Sequence, residues 1–125
     1  MGKRIFALPE NEIYKRYSNE YVYEKLDCSI LYKLNIKAAF YYYLSGDCCG
    51  AGAMIILMND NNIYYHSLGH CSCYGPLESE DNEDIDLEID LELLGNSWDQ
   101  IIGKCSGDLY KELKPLVDLA KRKGY

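Results

Sequence analysis

Gly52-Ala53-Met54-Ile55-Ile56-Leu57-Met58-Asn59-Asp60-Asn61-Asn62-Ile63-Tyr64-Tyr65-His66-Ser67-Leu68-Gly69 reads as a β-hairpin. Two apolar runs, Gly52 to Asn59 and Ile63 to Gly69, flank Asn59-Asp60-Asn61-Asn62, whose residue types tolerate the left-handed backbone of tight turns. A loop of two or four residues centred there sets Ile63 opposite Met58, Tyr65 opposite Ile56, Cys71 opposite Gly50 and Cys73 opposite Cys48.

Upstream, Ala38 to Leu44 is an aromatic strand bounded by Ser45-Gly46-Asp47, and Ile30 to Ile36 alternates imperfectly as a second, short strand. Between Glu10 and Leu26, Ile13, Tyr17, Tyr21 and Val22 recur near the helical period and predict a helix. Downstream, Glu78 to Glu83 is an acidic connection. Asp84 to Leu93 then alternates polar and apolar without an error, which predicts a strand with one buried and one wholly acidic face, ended by Gly95 and Asn96. Ser97-Trp98-Asp99-Gln100 fits a capping box for a short helix to about Lys104. A last helix, from Ser106 or Asp108, buries Leu109, Leu113, Leu116, Val117 and Ala120. Pro115 kinks or restarts it, and Lys121, Arg122, Lys123 and Gly124 suit its end. The fold class is α+β: a mainly antiparallel sheet with a central hairpin, and C-terminal helices packed on one face. With no internal repeat, residues 1–125 form a single domain.

Apolar residues make up 48% of the 125 and charged residues 26%, the balance of a folded globular chain. Twenty Asp and Glu against thirteen Lys and Arg give a formal net charge of −7, which argues against direct binding to nucleic acid or to an anionic membrane. A partner drawn by charge is basic. The first residues lack the apolar stretch of a signal peptide, and the run Ala53 to Met58 is far short of a membrane span, so a cytoplasmic location is expected.

Six cysteines, Cys28, Cys48, Cys49, Cys71, Cys73 and Cys105, are therefore expected as thiols or metal ligands. None forms a Cys-x-x-Cys pair. In a continuous strand Cys71 and Cys73 share one face while His66 and His70 take the other. The expected register brings Cys48 beside Cys73 with Cys71 close by, and Cys28 or Cys105 would complete a tetrahedral zinc site. Small buried hydrophobes at a glycine-rich bend, or a reactive thiol, account for the same residues. Cys71, His70 and Asp47 have the residue types of a thiol nucleophile, its base and an orienter, but neighbours on a strand point to opposite faces. With no Gly-rich phosphate loop before a helix, no enzyme is expected.

Gly-Asp-x-x-Gly-x-Gly at residues 46 to 52, followed by His-Cys-Ser-Cys-Tyr-Gly-Pro at 70 to 76, resembles a motif pair in small uncharacterised proteins of phages and bacteria. The resemblance implies a viral or mobile-element origin, with no known activity. Cys48 here replaces the usual aromatic residue after Gly-Asp.

Two surfaces are candidates for binding. Asp84, Asp86, Glu88, Asp90 and Glu92 would project from one strand face about 6.8 Å apart, a spacing comparable to successive phosphates of a nucleic-acid strand. Such a ladder can mimic nucleic acid, protect a sheet edge, or hold a divalent cation. Tyr41, Tyr42, Tyr43, Tyr64, Tyr65 and Tyr74 lie on or near the central strands, and Tyr42, Tyr65 and Tyr74 are the candidate interface or ligand aromatics. A phosphorylated ligand would also need basic residues such as Arg4, Lys33 and Lys37. The expected function is that of a non-enzymatic binding protein of phage or mobile-element origin. It inhibits a host-defence nuclease or nucleic-acid-binding protein through the acidic face, or sequesters a small nucleotide between tyrosines, as a homo-oligomer and without a cofactor. The alternative is a zinc-stabilised regulatory or structural module organised by Cys48, Cys71 and Cys73.

Overall fold

The computed structural model describes residues 4–9, 22–23, 31, 35–45, 49–71 and 91–125. Among them lie seven strands: β1 (Arg4–Ala7), β2 (Val22–Tyr23), β3 (Ile36–Ser45), β4 (Cys49–Met58), β5 (Ile63–Ser67), β6 (His70–Cys71) and β7 (Glu92–Gly95). Two helices follow, α1 (Trp98–Lys104) and α2 (Gly107–Arg122). The sheet runs β1-β3-β4-β5-β7, with β2 continuing the row of β1 along β3, and β6 continuing the row of β5 along β4. All pairings are antiparallel except β1 with β3. This is the expected α+β architecture.

The central hairpin forms one register away from the expectation. Met58 N–H donates to Asn62 O at 2.9 Å, and Asn61 N–H donates to Met58 O at 3.0 Å. Asn61 takes the left-handed backbone, with φ 71°. The loop is therefore Asn59-Asp60-Asn61, a three-residue turn whose last residue closes a bulge. An odd loop sets Leu57 opposite Ile63, Ile55 opposite Tyr65, Gly50 opposite His70, and Cys71 opposite Cys49 rather than Gly50. The turn is pinned to the start of β3, since Asn59 Nδ2 donates to Asn35 Oδ1 at 2.6 Å.

Both faces of the sheet are buried. Phe40, Tyr42, Leu44, Ala53, Ile55 and Ile63 form one core with Ile101 of α1 and Leu113, Leu116, Val117 and Ala120 of α2. On the reverse face Ala39, Tyr41, Tyr43, Met54, Ile56 and Leu68 pack with Leu31. Two-sided burial explains the near-continuous apolar runs of β3 and β4, a pattern more usual in parallel sheets. At Gly52 a side chain has no room: a Cβ there would lie 2.3 Å from Tyr42 O.

Several local expectations are corrected. Val22–Tyr23 pairs with Leu44–Ser45 as strand, so the helix over Glu10–Leu26 does not include it, and the rest of that span lies outside the described residues. Leu31 lies in a 3-10 turn and Ile36 opens β3, so neither belongs to a separate strand over Ile30–Ile36. Of the acidic strand, 84–90 lies outside the described residues, and β7 runs through Gly95. Ser97 is the N-cap of α1 without a side-chain bond, and Gln100 Oε1 instead accepts a long 3.5 Å contact from Asn96 N–H. Helix α2 passes through Pro115 as one helix.

Candidate functional site

At the turn end of the sheet, on the helix side, two β-bulges border a groove of about 440 Å³ lined by Lys37, Leu57, Asn61, Ile63, Asn96, Trp98, Gly124 and Tyr125. The first bulge falls between Ile36 and Ala38. Ile36 packs in the reverse core and Ala38 in the helix-side core, so the extra residue, Lys37, breaks the alternation and is re-aimed at the groove. Its Nζ donates to Asn61 Oδ1 at 2.8 Å, which gives the ammonium a fixed place at the turn. The second bulge shifts β7 against β5 between Ile63 and Tyr64. Leu94 then packs on the helix-side core, and the chain turns through Asn96 into α1.

The aromatic wall is fixed by the chain's end. Helix α2 closes in a Schellman motif, with Tyr125 N–H donating to Ala120 O at 3.0 Å, Gly124 N–H donating to Lys121 O at 3.1 Å, and Gly124 at φ 91°. Tyr125, so placed, accepts a 2.9 Å hydrogen bond at its main-chain oxygen from Trp98 Nε1–H. Its ring meets Phe40 edge-on at 5.7 Å, and Trp98 does the same from its own side at 6.2 Å. Phe6 stacks on Phe40 at 5.5 Å beneath Lys123, whose Nζ is 5.2 Å from the Phe6 ring. Buried Leu57 and Ile63 complete an apolar floor. The groove thus combines one cation, two carboxamides and a rigid indole, a set suited to a flat molecule that carries an anion.

The opposite margin of the helix-side face is acidic. Tyr65 O–H donates to Glu112 Oε2 of α2 at 3.1 Å. Burial, with Glu112 adding its charge, pushes the Tyr65 phenol up to about 12. Glu92 pairs with Tyr65 across β5 and β7, and burial together with this carboxylate raises the Cys105 thiol.

The residues singled out in the sequence separate here. Tyr42 is 1% exposed in the core and offers no docking surface, because the sheet is covered on both sides. Tyr65 is half-buried and tied to Glu112, and Tyr74 lies outside the described residues. Glu92 is exposed but shares the helix-side face with Tyr65, while Leu91 packs on the reverse core. Asp84, Asp86, Glu88 and Asp90 lie outside the described residues, as do Cys48, Cys73 and Lys33. Cys71 is placed by its backbone alone, opposite Cys49. Among the described residues no group of three His, Cys, Asp or Glu side chains could hold a metal, and no helix is long and apolar enough to cross a membrane. Of the two proposed phosphate-binding cations among the described residues, Arg4 is exposed on β1 and Lys37 lines the groove. Sequence reasoning missed Asn61, Asn96, Trp98 and Tyr125. A left-handed Asn in an odd loop was within reach of pattern reading, but a contact between Trp98 and Tyr125 was not.

Fold and groove together define an α+β domain with a polar-aromatic recess at one sheet end. Comparison with family models, with curated proteins and with solved structures returns no match.

Proposed function

We propose that the protein is a non-enzymatic binding protein that holds a small phosphorylated ligand of nucleotide size in the groove at the turn end of the sheet. The observation that carries this reading is the Lys37 ammonium, fixed by Asn61, in the same recess as the Trp98 indole fixed by Tyr125. A lysine is a point-charge partner for phosphate, and an indole is a stacking surface for a base. The formal charge of −7 is unevenly spread along the sequence. Glu78 to Glu92 contains nine acidic residues and no basic one, and taking those nine charges from −7 leaves +2 for the rest of the chain. The resemblance of the Gly-Asp and His-Cys-Ser-Cys-Tyr-Gly-Pro motifs supports a phage or mobile-element origin, with sequestration of a host nucleotide signal in the cytoplasm as the role.

Isothermal titration with a nucleoside 5′-monophosphate tests the reading. Saturable one-to-one binding, weakened at least tenfold in Lys37→Ala, is expected. Absence of heat at millimolar ligand overturns it.

A second reading rests on that same concentration of charge. The stretch ending at exposed Glu92 can occupy a basic protein surface in place of nucleic acid. Displacement of duplex DNA from a basic DNA-binding protein, abolished by Asp86→Lys, Glu88→Lys and Asp90→Lys together, favours it. Equal displacement by that variant removes it.

A further inference from the structure

The corrected register puts two cysteines face to face. Cys49 of β4 is the direct Cα partner of Cys71 of β6. The type of pair follows from the ladder. Leu68 N–H donates to Gly52 O at 3.0 Å, and Met58 N–H donates to Asn62 O at 2.9 Å. Those bonds mark even-numbered partners as the hydrogen-bonded pairs of this ladder. The odd-numbered pairs, Leu57 with Ile63, Ile55 with Tyr65, and at the far end Cys49 with Cys71, are the alternate, non-hydrogen-bonded ones. Directly opposed residues at such positions have Cα atoms about 4.5 Å apart, inside the roughly 4.4 to 6.8 Å that a disulfide spans.

Local sequence keeps β4 small here, with Gly50, Ala51 and Gly52 following Cys49. On the same face of β4 the next residues are Ala51 and then Ala53, which pairs with Ser67. Ala51 is half-buried, and Ser67 and Gly69 are exposed. Cys105 sits between α1 and α2, where burial raises its thiol, and it belongs to neither strand.

We propose that Cys49 and Cys71 form a reversible dithiol–disulfide pair that staples β4 to β6, with a hydroperoxide as oxidant. One thiolate attacks the peroxide oxygen, giving a sulfenic acid and releasing the alcohol, or water from hydrogen peroxide. The second thiol then attacks the sulfenic sulfur, the S–S bond forms, and water leaves. Two thiols and one hydroperoxide thus give one disulfide, one alcohol and one water. In a reducing compartment the resting form is the dithiol, and a cellular thiol reverses the bond by exchange. The inference is independent of the groove and of what it binds.

The test is non-reducing peptide mapping of the full-length native protein after stoichiometric hydrogen peroxide and alkylation of remaining thiols. The expected result is a Cys49–Cys71 linked peptide, a mass loss of about 2 Da, and a fall from six alkylatable cysteines to four, all reversed by dithiothreitol. Cys49→Ser and Cys71→Ser each abolish that peptide. A disulfide between other cysteines, or six thiols still free after oxidation, overturns the proposal, and neither result depends on a variant folding.

Discussion

The two ends of the ladder that β4 forms with β5 and β6 are built from opposite materials. At the turn end, large side chains are locked in place: Trp98 by Tyr125, Tyr125 by the close of α2, both edge-on to Phe40, and Lys37 by Asn61. At the other end β4 itself is built of Cys49, Gly50, Ala51 and Gly52, with Cys49 opposite Cys71 and Gly50 opposite His70. One end gains shape and charge for recognition from bulky, preorganised groups. The other gains close backbone approach from the small residues of β4, as at Gly52 beside Tyr42 O. The recess proposed to bind and the cysteine pair proposed to oxidise therefore sit at opposite ends of β4.

Substitutions that exchange these characters should fail in order of how much packing they disturb. Phe40→Ala removes the ring against which Phe6, Trp98 and Tyr125 all rest, and should cost about 4 kcal/mol in urea unfolding while abolishing ligand binding in the groove. Gly52→Ala brings a methyl group to 2.3 Å from Tyr42 O, and should cost about 3 kcal/mol by the same measurement without altering the groove's residues.

Tyr65 belongs to the acidic margin, bonded to Glu112 and paired with Glu92. Its phenol is raised to about 12 from a usual 10.0, so the folded state favours the neutral form. That contribution is intact below pH 10 and is lost as pH rises through 12. Discounted for a half-exposed group, it amounts to about 1 kcal/mol. Wild-type stability should therefore fall more steeply above pH 10 than that of Tyr65→Phe, read as the difference between two urea-midpoint profiles.

The smallest effect belongs to the turn. Asn61→Ala places an ordinary residue at φ 71° and should cost about 1 kcal/mol, whereas Asn61→Gly should cost a few tenths or nothing. Both remove the carbonyl that fixes Lys37, so both should weaken ligand binding severalfold by titration calorimetry. A variant that loses stability but keeps its affinity would show that the Lys37–Asn61 contact has no part in recognition.

Much of this fold is written locally. The hairpin, the strand through Ala38 to Leu44, and the helices from Trp98 and Gly107 follow from apolar runs, turn residues and a cap position that each act over a few residues. Register is different, because it hinges on whether Asn61 or a neighbour adopts positive φ, and that single choice moved Cys71 from Gly50 to Cys49. Burial of Tyr42 was hidden for another reason: strand alternation assigns faces but cannot tell that both will be covered. The groove was least visible. It depends on two bulges and on Trp98 meeting Tyr125, 27 residues away, and no local pattern encodes such a contact. Only Lys37, named as a candidate phosphate partner, was legible beforehand.

Trp98 is the chain's only tryptophan, and its indole N–H gives a single, assignable resonance. The most direct test of the groove is a ¹H–¹⁵N titration with a nucleoside 5′-monophosphate that follows this signal and the side-chain amides of Asn61 and Asn96. Saturable, concerted shifts of all three, lost in Lys37→Ala while the amide signals of β1 stay fixed, are the predicted result. Three unmoved signals at millimolar ligand would contradict the assignment of the groove as the binding site.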